Sequence, residues 1–182
     1  MSWIALGIVA VALLWAVAVY NGLVRRKNVV AEAWSGIDAQ LKRRADLIPN
    51  LVETVKGYAA HERTTFDELA RLRSQGQGQA DPAQRAQTEA AITAAIGKVM
   101  AVAEAYPELK ASQNFQMLQH DLADIEDQIQ MARRYYNATV RDYNVTIGQF
   151  PSNLIAGMGG FTPQPFFQAD ESDRAVPKVS FS

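Results

Sequence analysis

The strongest constraint on this chain lies near its start. From Trp3 to Val24 no side chain is charged, and these 22 residues read WIALGIVAVALLWAVAVYNGLV. As an α-helix rising ~1.5 Å per residue the run extends roughly 33 Å, enough to cross a hydrocarbon core of about 30 Å. A helix also satisfies its backbone polar groups internally, as lipid requires. The flanks separate a retained anchor from a cleaved secretory signal, which carries positive charge before its apolar core and a small-x-small site after it. Ala16-Val17-Ala18 fits such a site, but no basic residue precedes the run and the run continues past it. Arg25, Arg26 and Lys27 follow instead. By the positive-inside rule these cations predict an anchor with its N-terminus outside and the body of the chain in the cytoplasm. Trp3 and Tyr20 stand near the two ends of the run, where amphipathic rings favour the interface.

The remaining length of this 182-residue chain is sufficient for one packed domain. Eighteen basic residues against 19 acidic ones leave a net charge of −1, so no global field recruits nucleic acid or an acidic substrate. The absence of cysteine excludes disulfides, thiolate catalysis and cysteine-bound zinc.

Beyond the basic cluster the pattern becomes amphipathic without interruption. Val30, Trp34, Ile37 and Leu41 are spaced by four, three and four, one face of a helix, so the anchor is expected to run on into the body. Pro49 predicts a kink or boundary near Ala45–Ile48, with Asp46 as a candidate cap of a second helix. Leu51, Val55, Tyr58, Phe66, Leu69 and Leu72 carry the apolar face onward to a glycine- and glutamine-rich loop at 74–82. Asp81 before Pro82 is a helix start, N-cap followed by N1. Ile92, Ile96, Val99, Ala103 and Tyr106 then follow helical spacing up to Pro107.

The longest periodic stretch begins at Ser112. Phe115, Leu122, Ile129, Tyr136 and Tyr143 recur every seven residues, with Leu118, Ile125 and Ala132 as the companion row. This is an a/d seam over about four heptads, available either to packing within one chain or to self-association. Gly148 and Pro151 stop it. The segment from Phe150 onward combines glycine-rich and proline-rich pieces with five phenylalanines, too apolar for a plain disordered tail and too broken for a regular element. It predicts an extended strap laid on the bundle or on a neighbouring chain, with Phe150, Leu154, Ile155, Phe161, Phe166 and Phe167 as its contacts and Asp170-Glu171-Ser172-Asp173 as a solvated turn. The organisation expected is thus an anchor and basic flank at 1–27, a helical bundle at 28–149 and the strap at 150–182. The fold class is all-α: a transmembrane helix continuing into an elongated antiparallel bundle of three to four long helices, the first kinked at Pro49.

The inventory for chemistry is thin. His61-Glu62 begins like a zinc helix motif, but position 65 is threonine and the second ligand is missing. Asp121, Asp124 and Asp127 recur every three residues on one helix, which suits a charged outer face better than a cation site. Glu126 beside them lies between seam positions. Gly157-Met158-Gly159-Gly160 has neither a preceding strand nor a following lysine, so it is no phosphate loop. No catalytic residue, metal or cofactor is expected. Two polar sets sit among apolar neighbours: Arg43, Arg44, Asp46 and Asn50 around Pro49, and Asn137, Arg141 and Asn144 late in the long helix. Buried polar groups need partners, so contacts between the two sets are expected, with Asp46 meeting an arginine.

Several strings are distinctive: Tyr20-Asn21-Gly22-Leu23-Val24 through AWSGIDAQLKRRADLIPNLVETVKGYAAHE, YPELKA from Tyr106, NFQMLQ from Asn114, ARRYYN from Ala132, Arg141-Asp142-Tyr143-Asn144, FPSNLIA from Phe150 and Pro165-Phe166-Phe167. In this order, over nearly the whole chain, they resemble the LemA family closely; the loop at 74–82 carries no such motif. The resemblance implies a bacterial inner-membrane protein with one N-terminal span and a helical body, a long-helix antiparallel bundle usually on the cytoplasmic side. It supplies no activity and no catalytic residue. A magnetosome-associated branch of the family hints at a role in shaping membrane, and some relatives have genes for membrane proteases or stress proteins as neighbours. The function expected is a membrane-anchored, non-enzymatic, homo-oligomeric scaffold whose direct partner is the lipid bilayer. A strap crossing to a neighbour would build rings or open arrays. The alternative is an adaptor or sensor for a membrane partner such as a protease.

Overall fold

The computed structural model describes residues 2–168, and among these it contains six helices and no strand. Helix α1 spans Ser2–Lys56, α2 Arg63–Gly76, α3 Pro82–Glu104, α4 Pro107–Lys110, α5 Gln113–Gly148 and α6 Ser152–Met158. The all-α class is thus the observed one. Two compact units divide these residues. One comprises the chain up to Asp38 with Met131–Phe166; the other comprises Ala39–Gln130 with the residues after Phe166. The proposed solvated turn at 170–173 lies outside the described residues.

In the second unit, the later part of α1 packs with α2, α3, α4 and the start of α5. Ile48, Leu51, Val55, Phe66, Leu69, Leu72, Ile92, Val99, Leu109, Phe115 and Leu122 form one buried cluster. Ala95 and Ala103 are buried in the same cluster, where small side chains let helices approach closely. Asp81 caps α3 as its sequence predicts: its side chain accepts from the Gln84 amide at 3.0 Å, and Pro82 follows at N1. The preceding turn needs Gly78, whose φ of +85° places it in the left-handed region.

Two expectations for this part are corrected. No helix boundary falls at Ala45–Ile48: α1 continues through Pro49 to Lys56, and Asp46 caps no second helix. The physical reason is that the hydrogen bond Pro49 cannot make is made by another residue. Pro49 has no N–H for the carbonyl of Ala45, four residues earlier, and the Arg73 guanidinium of α2 donates to that carbonyl through Nε at 2.6 Å. The break instead falls after Lys56, where the Tyr58 amide turns back to the Val55 carbonyl at 3.0 Å. Ala59 is buried just beyond it, and the exposed Tyr58 takes no part in the apolar face.

In the first unit, α1 and α5 run antiparallel, with the rings of Trp34 and Tyr136 5.6 Å apart. Leu23, Val30, Ala33 and Ile37 of α1 are buried, as are Tyr136, Val140 and Tyr143 of α5. The seam row from Phe115 to Tyr143 is therefore buried throughout within the chain itself. Earlier in α1 the apolar run is exposed: Trp3, Ile4, Leu6, Ile8, Leu13 and Leu14 all face outward. It forms a helix long and apolar enough to cross a membrane.

The C-terminal segment is more regular than its composition predicts. Ser152–Met158 closes into α6, and Gly159 follows as its cap. Pro151 precedes the helix and glycines follow it, an arrangement that sets off a short helix rather than excluding one. Ser152 secures the connection, its hydroxyl donating to the Thr146 carbonyl at 2.6 Å. From Phe161 to Gln168 the chain has no regular structure.

Candidate functional site

Three groupings collect the polar side chains singled out by the sequence, and each lies within one unit. The first is the basic flank. Arg25, Arg26 and Lys27 are exposed. Arg25 and Arg26, with Gly22 and Val29, line a cavity of about 420 Å³ whose other wall is Thr139 and Asp142 of α5. Asp142 is 3.8 Å from the Arg141 guanidinium, and the Thr139 hydroxyl donates to the Tyr136 carbonyl at 2.8 Å. Tyr20, two residues before Gly22 on α1, meets the ring of Phe161 edge-on at 5.5 Å. Trp3 is exposed near the far end of the apolar run.

The second grouping is a charged cluster inside the second unit. Arg44, only 2 % exposed, projects from α1. Its guanidinium donates to the Glu89 carboxylate and backbone carbonyl, to the Thr93 hydroxyl at 2.7 Å and to Glu126 at 2.6 Å. Arg85 reaches Glu89 from the preceding turn of α3, Nε to Oε1 at 2.8 Å. Gln130 donates to the second oxygen of Glu126 at 3.0 Å. Two guanidiniums and two carboxylates thus neutralise one another, which is what lets them stay out of water. Such a network fixes the register of α1, α3 and α5 more than it adds net stability. Glu126, the acidic residue out of place between seam positions, has its explanation here. Arg85 and Glu89 were not singled out by the sequence reading.

The other members of the Pro49 set are placed differently. Asp46 is exposed and forms no ion pair among the described residues; with Arg43, Leu47, Asp121, Asp124 and Ile125 it lines an open depression of about 310 Å³. Asn50 is exposed, and its carbonyl accepts from Thr54 at 2.7 Å. His61 is exposed, and among the described residues no three acidic or histidine side chains converge as a metal site would need.

The third grouping holds the strap. The Tyr136 hydroxyl donates to the Pro165 carbonyl at 2.9 Å and the Tyr143 hydroxyl to the Thr162 carbonyl at 3.1 Å. Asn144 makes a reciprocal pair with Gln164, giving Nδ2–H to its carbonyl and taking its amide on Oδ1, both at 2.9 Å. These residues of α5 bind the backbone of an extended segment that has no ladder of its own. Burial pushes the Tyr143 hydroxyl above the ordinary tyrosine value, because the phenolate is poorly solvated there. Asn137 and Ile155 are half-buried and Arg141 is exposed. Phe150 and Leu154 are exposed and Phe161 is half-buried; Phe167, which belongs to the second unit, is buried.

The chain is similar to proteins of known name. It is 26 % identical over 175 residues to magnetosome protein MamQ 2 of Paramagnetospirillum magneticum, an alignment covering 82 % of this chain and 64 % of that protein. With MamQ of Magnetospirillum gryphiswaldense it shares 25 % over 175 residues, covering 81 % of this chain and again 64 % of the relative. The chain thus spans a little under two thirds of the length of these magnetosome proteins. It is 28 % identical over 155 residues to protein LemA of Metamycoplasma hominis, covering 85 % of this chain and 71 % of the other. Residues 33–181 match the family model described as LemA family, which includes the charged cluster around Arg44 and the helix that holds the strap. The chain belongs to the LemA family.

Proposed function

We propose that this protein is a membrane-anchored, non-enzymatic scaffold that self-associates through its helical body and organises or shapes the bilayer that holds it. The observation that carries this reading is the continuity of α1. One helix, Ser2–Lys56, begins as an exposed apolar span and ends as a buried member of a packed core. The span and the packed segment are thus parts of one helix. The basic flank orients the body toward the cytoplasmic side of a bacterial inner membrane.

The heptad row is spent inside the chain, so self-association has to use another surface. Met131, Tyr135 and Val145 supply one: they are exposed and lie along one stripe of α5. Similarity to proteins named for the magnetosome supports a role at a membrane. Mass measurement of the full chain in mild detergent tests the reading. Discrete multiples of the chain mass are expected at micromolar concentration. A strictly monomeric particle there overturns it, and a stable complex with a different protein in place of self-assembly would favour an adaptor.

A further inference from the structure

Among the described residues, the apolar surface of the segment around α6 is left exposed. Phe150 is 81 % exposed, Leu154 56 % and Met158 87 %. They recur every four residues, so Leu154 and Met158 share one face of α6 and Phe150 leads into it. The opposite face is the packed one, with Ala156 at 2 %. A short helix is thus held by its small side and presents its large side outward.

Its position along α1 follows from two independent contacts. The Phe161 amide donates to the Ala156 carbonyl at 3.0 Å, and the Phe161 ring meets Tyr20. The end of α6 therefore lies at the depth of Tyr20. The antiparallel register of α1 and α5 says the same. With Trp34 against Tyr136, moving along α5 to Gly148 corresponds to moving back along α1 to Gly22. Both lie on the apolar side of Arg25, Arg26 and Lys27, which stand five to seven residues beyond Tyr20, roughly 7–10 Å along the axis. Gly159 is what allows the return. A Cβ there would come within 2.6 Å of the Phe161 ring, so only glycine leaves room for the ring to fold back.

Composition agrees with this depth. From Tyr143 to Gln168 no side chain is charged, whereas stretches of that length elsewhere in the body all carry charge. Interfacial elements bury an apolar face a few ångströms into the headgroup–acyl boundary beside a basic rim.

We infer that Phe150, Leu154 and Met158 insert into the headgroup–acyl boundary of the leaflet next to the basic flank, making α6 a second, shallow membrane contact beside the span. The inference rests on α1 crossing the bilayer and extends that reading. Its occupant is lipid, because α6 ends at the depth of Tyr20, on the apolar side of the basic flank and within an uncharged stretch. A shallow wedge on one leaflet adds area to that leaflet alone, a means by which a scaffold can bend a bilayer.

The chain has no cysteine, so environment-sensitive labels can be placed singly in the full-length protein. Met158→Cys and, separately, Leu154→Cys carry an NBD label; Leu14→Cys reports the span and Gln116→Cys the body. The proteins are placed in phosphatidylethanolamine–phosphatidylglycerol vesicles containing lipids spin-labelled near the top of the acyl chain, or near its end when the label at 14 is read. Labels at 158 and 154 are expected to be quenched roughly twofold or more relative to the label at 116. Quenching at 14 with none at 158 or 154 overturns the insertion and leaves the anchor standing. Absence of quenching at 14 overturns the anchor and the insertion together. Labels at 158 and 154 shielded from aqueous iodide yet unquenched by lipid show a protein covering the face, which also overturns it.

Discussion

The Nε of Arg73 donates to the Ala45 carbonyl at 2.6 Å, and that carbonyl is the one Pro49 leaves without a helical donor. A long-range side chain thus repairs a local defect, and α1 passes through a proline without ending. The arrangement also links α2 to α1 at the point where α1 is weakest.

This coupling is open to a double-mutant cycle. Arg73→Ala leaves the Ala45 carbonyl without either donor and is expected to cost about 1.5–3 kcal/mol. Pro49→Ala restores a backbone N–H to the same carbonyl. In that background the loss of Arg73 should cost less, with a coupling of about 1 kcal/mol or more. Denaturant unfolding in detergent measures all four proteins. Equal costs of Arg73→Ala in the two backgrounds would show that the guanidinium does not stand in for the missing amide.

The charged cluster predicts unequal effects from its two carboxylates. Glu89 is buried and shared by Arg44 and Arg85. Glu89→Ala removes the carboxylate shared by two buried guanidiniums, and breaking such a buried pair costs about 3–5 kcal/mol. The Glu126 side chain is about a third exposed, so water compensates part of its loss. Glu126→Ala should cost about 1 kcal/mol. Unfolding free energies of the two variants check the ranking, and a larger loss for Glu126→Ala would contradict it.

Tyr143 predicts an alkaline limit. The folded protein holds this phenolic proton more tightly than the unfolded chain, since burial raises its pKa. The contribution is therefore complete below the unfolded value of about 10 and is lost as pH rises through the higher folded value. Ionisation also removes the donor to the Thr162 carbonyl, releasing one tie of the strap. Stability should fall above about pH 10, and Tyr143→Phe should flatten that part of the profile while costing about 1 kcal/mol at neutral pH. Thermal unfolding between pH 8 and 11 measures both.

Much of this architecture was legible because the signals were local and repetitive. The charge-free run marks a long apolar helix, and five seam residues every seven positions fix both the extent of α5 and its buried face. The Asp81-Pro82 start of α3 is likewise local chemistry. Tertiary partners were not legible. The passage of α1 through Pro49 depends on Arg73, which nothing near Pro49 announces. Arg85 and Glu89 carried a usable signal: they extend backward, at spacings of four and three, the row continued by Ile92, Ile96 and Val99. A charged pair in register with an apolar row marks a buried ion pair. Asp46 misled because it neighbours two arginines in sequence, whereas Arg44 turns inward to α3 and α5 and Asp46 outward to solvent. The glycines and proline of the Phe150–Met158 stretch suggest irregular chain, whereas they delimit α6.

The claim on which the functional account depends is that α1 crosses the membrane and leaves the helical body on the cytoplasmic side. A membrane-impermeant maleimide applied to spheroplasts carrying Gln116→Cys tests it most directly. The account predicts labelling only after the spheroplasts are broken, on a protein that stays in the membrane pellet through alkaline carbonate. Labelling of intact spheroplasts, or a labelled protein released into the supernatant, would contradict it.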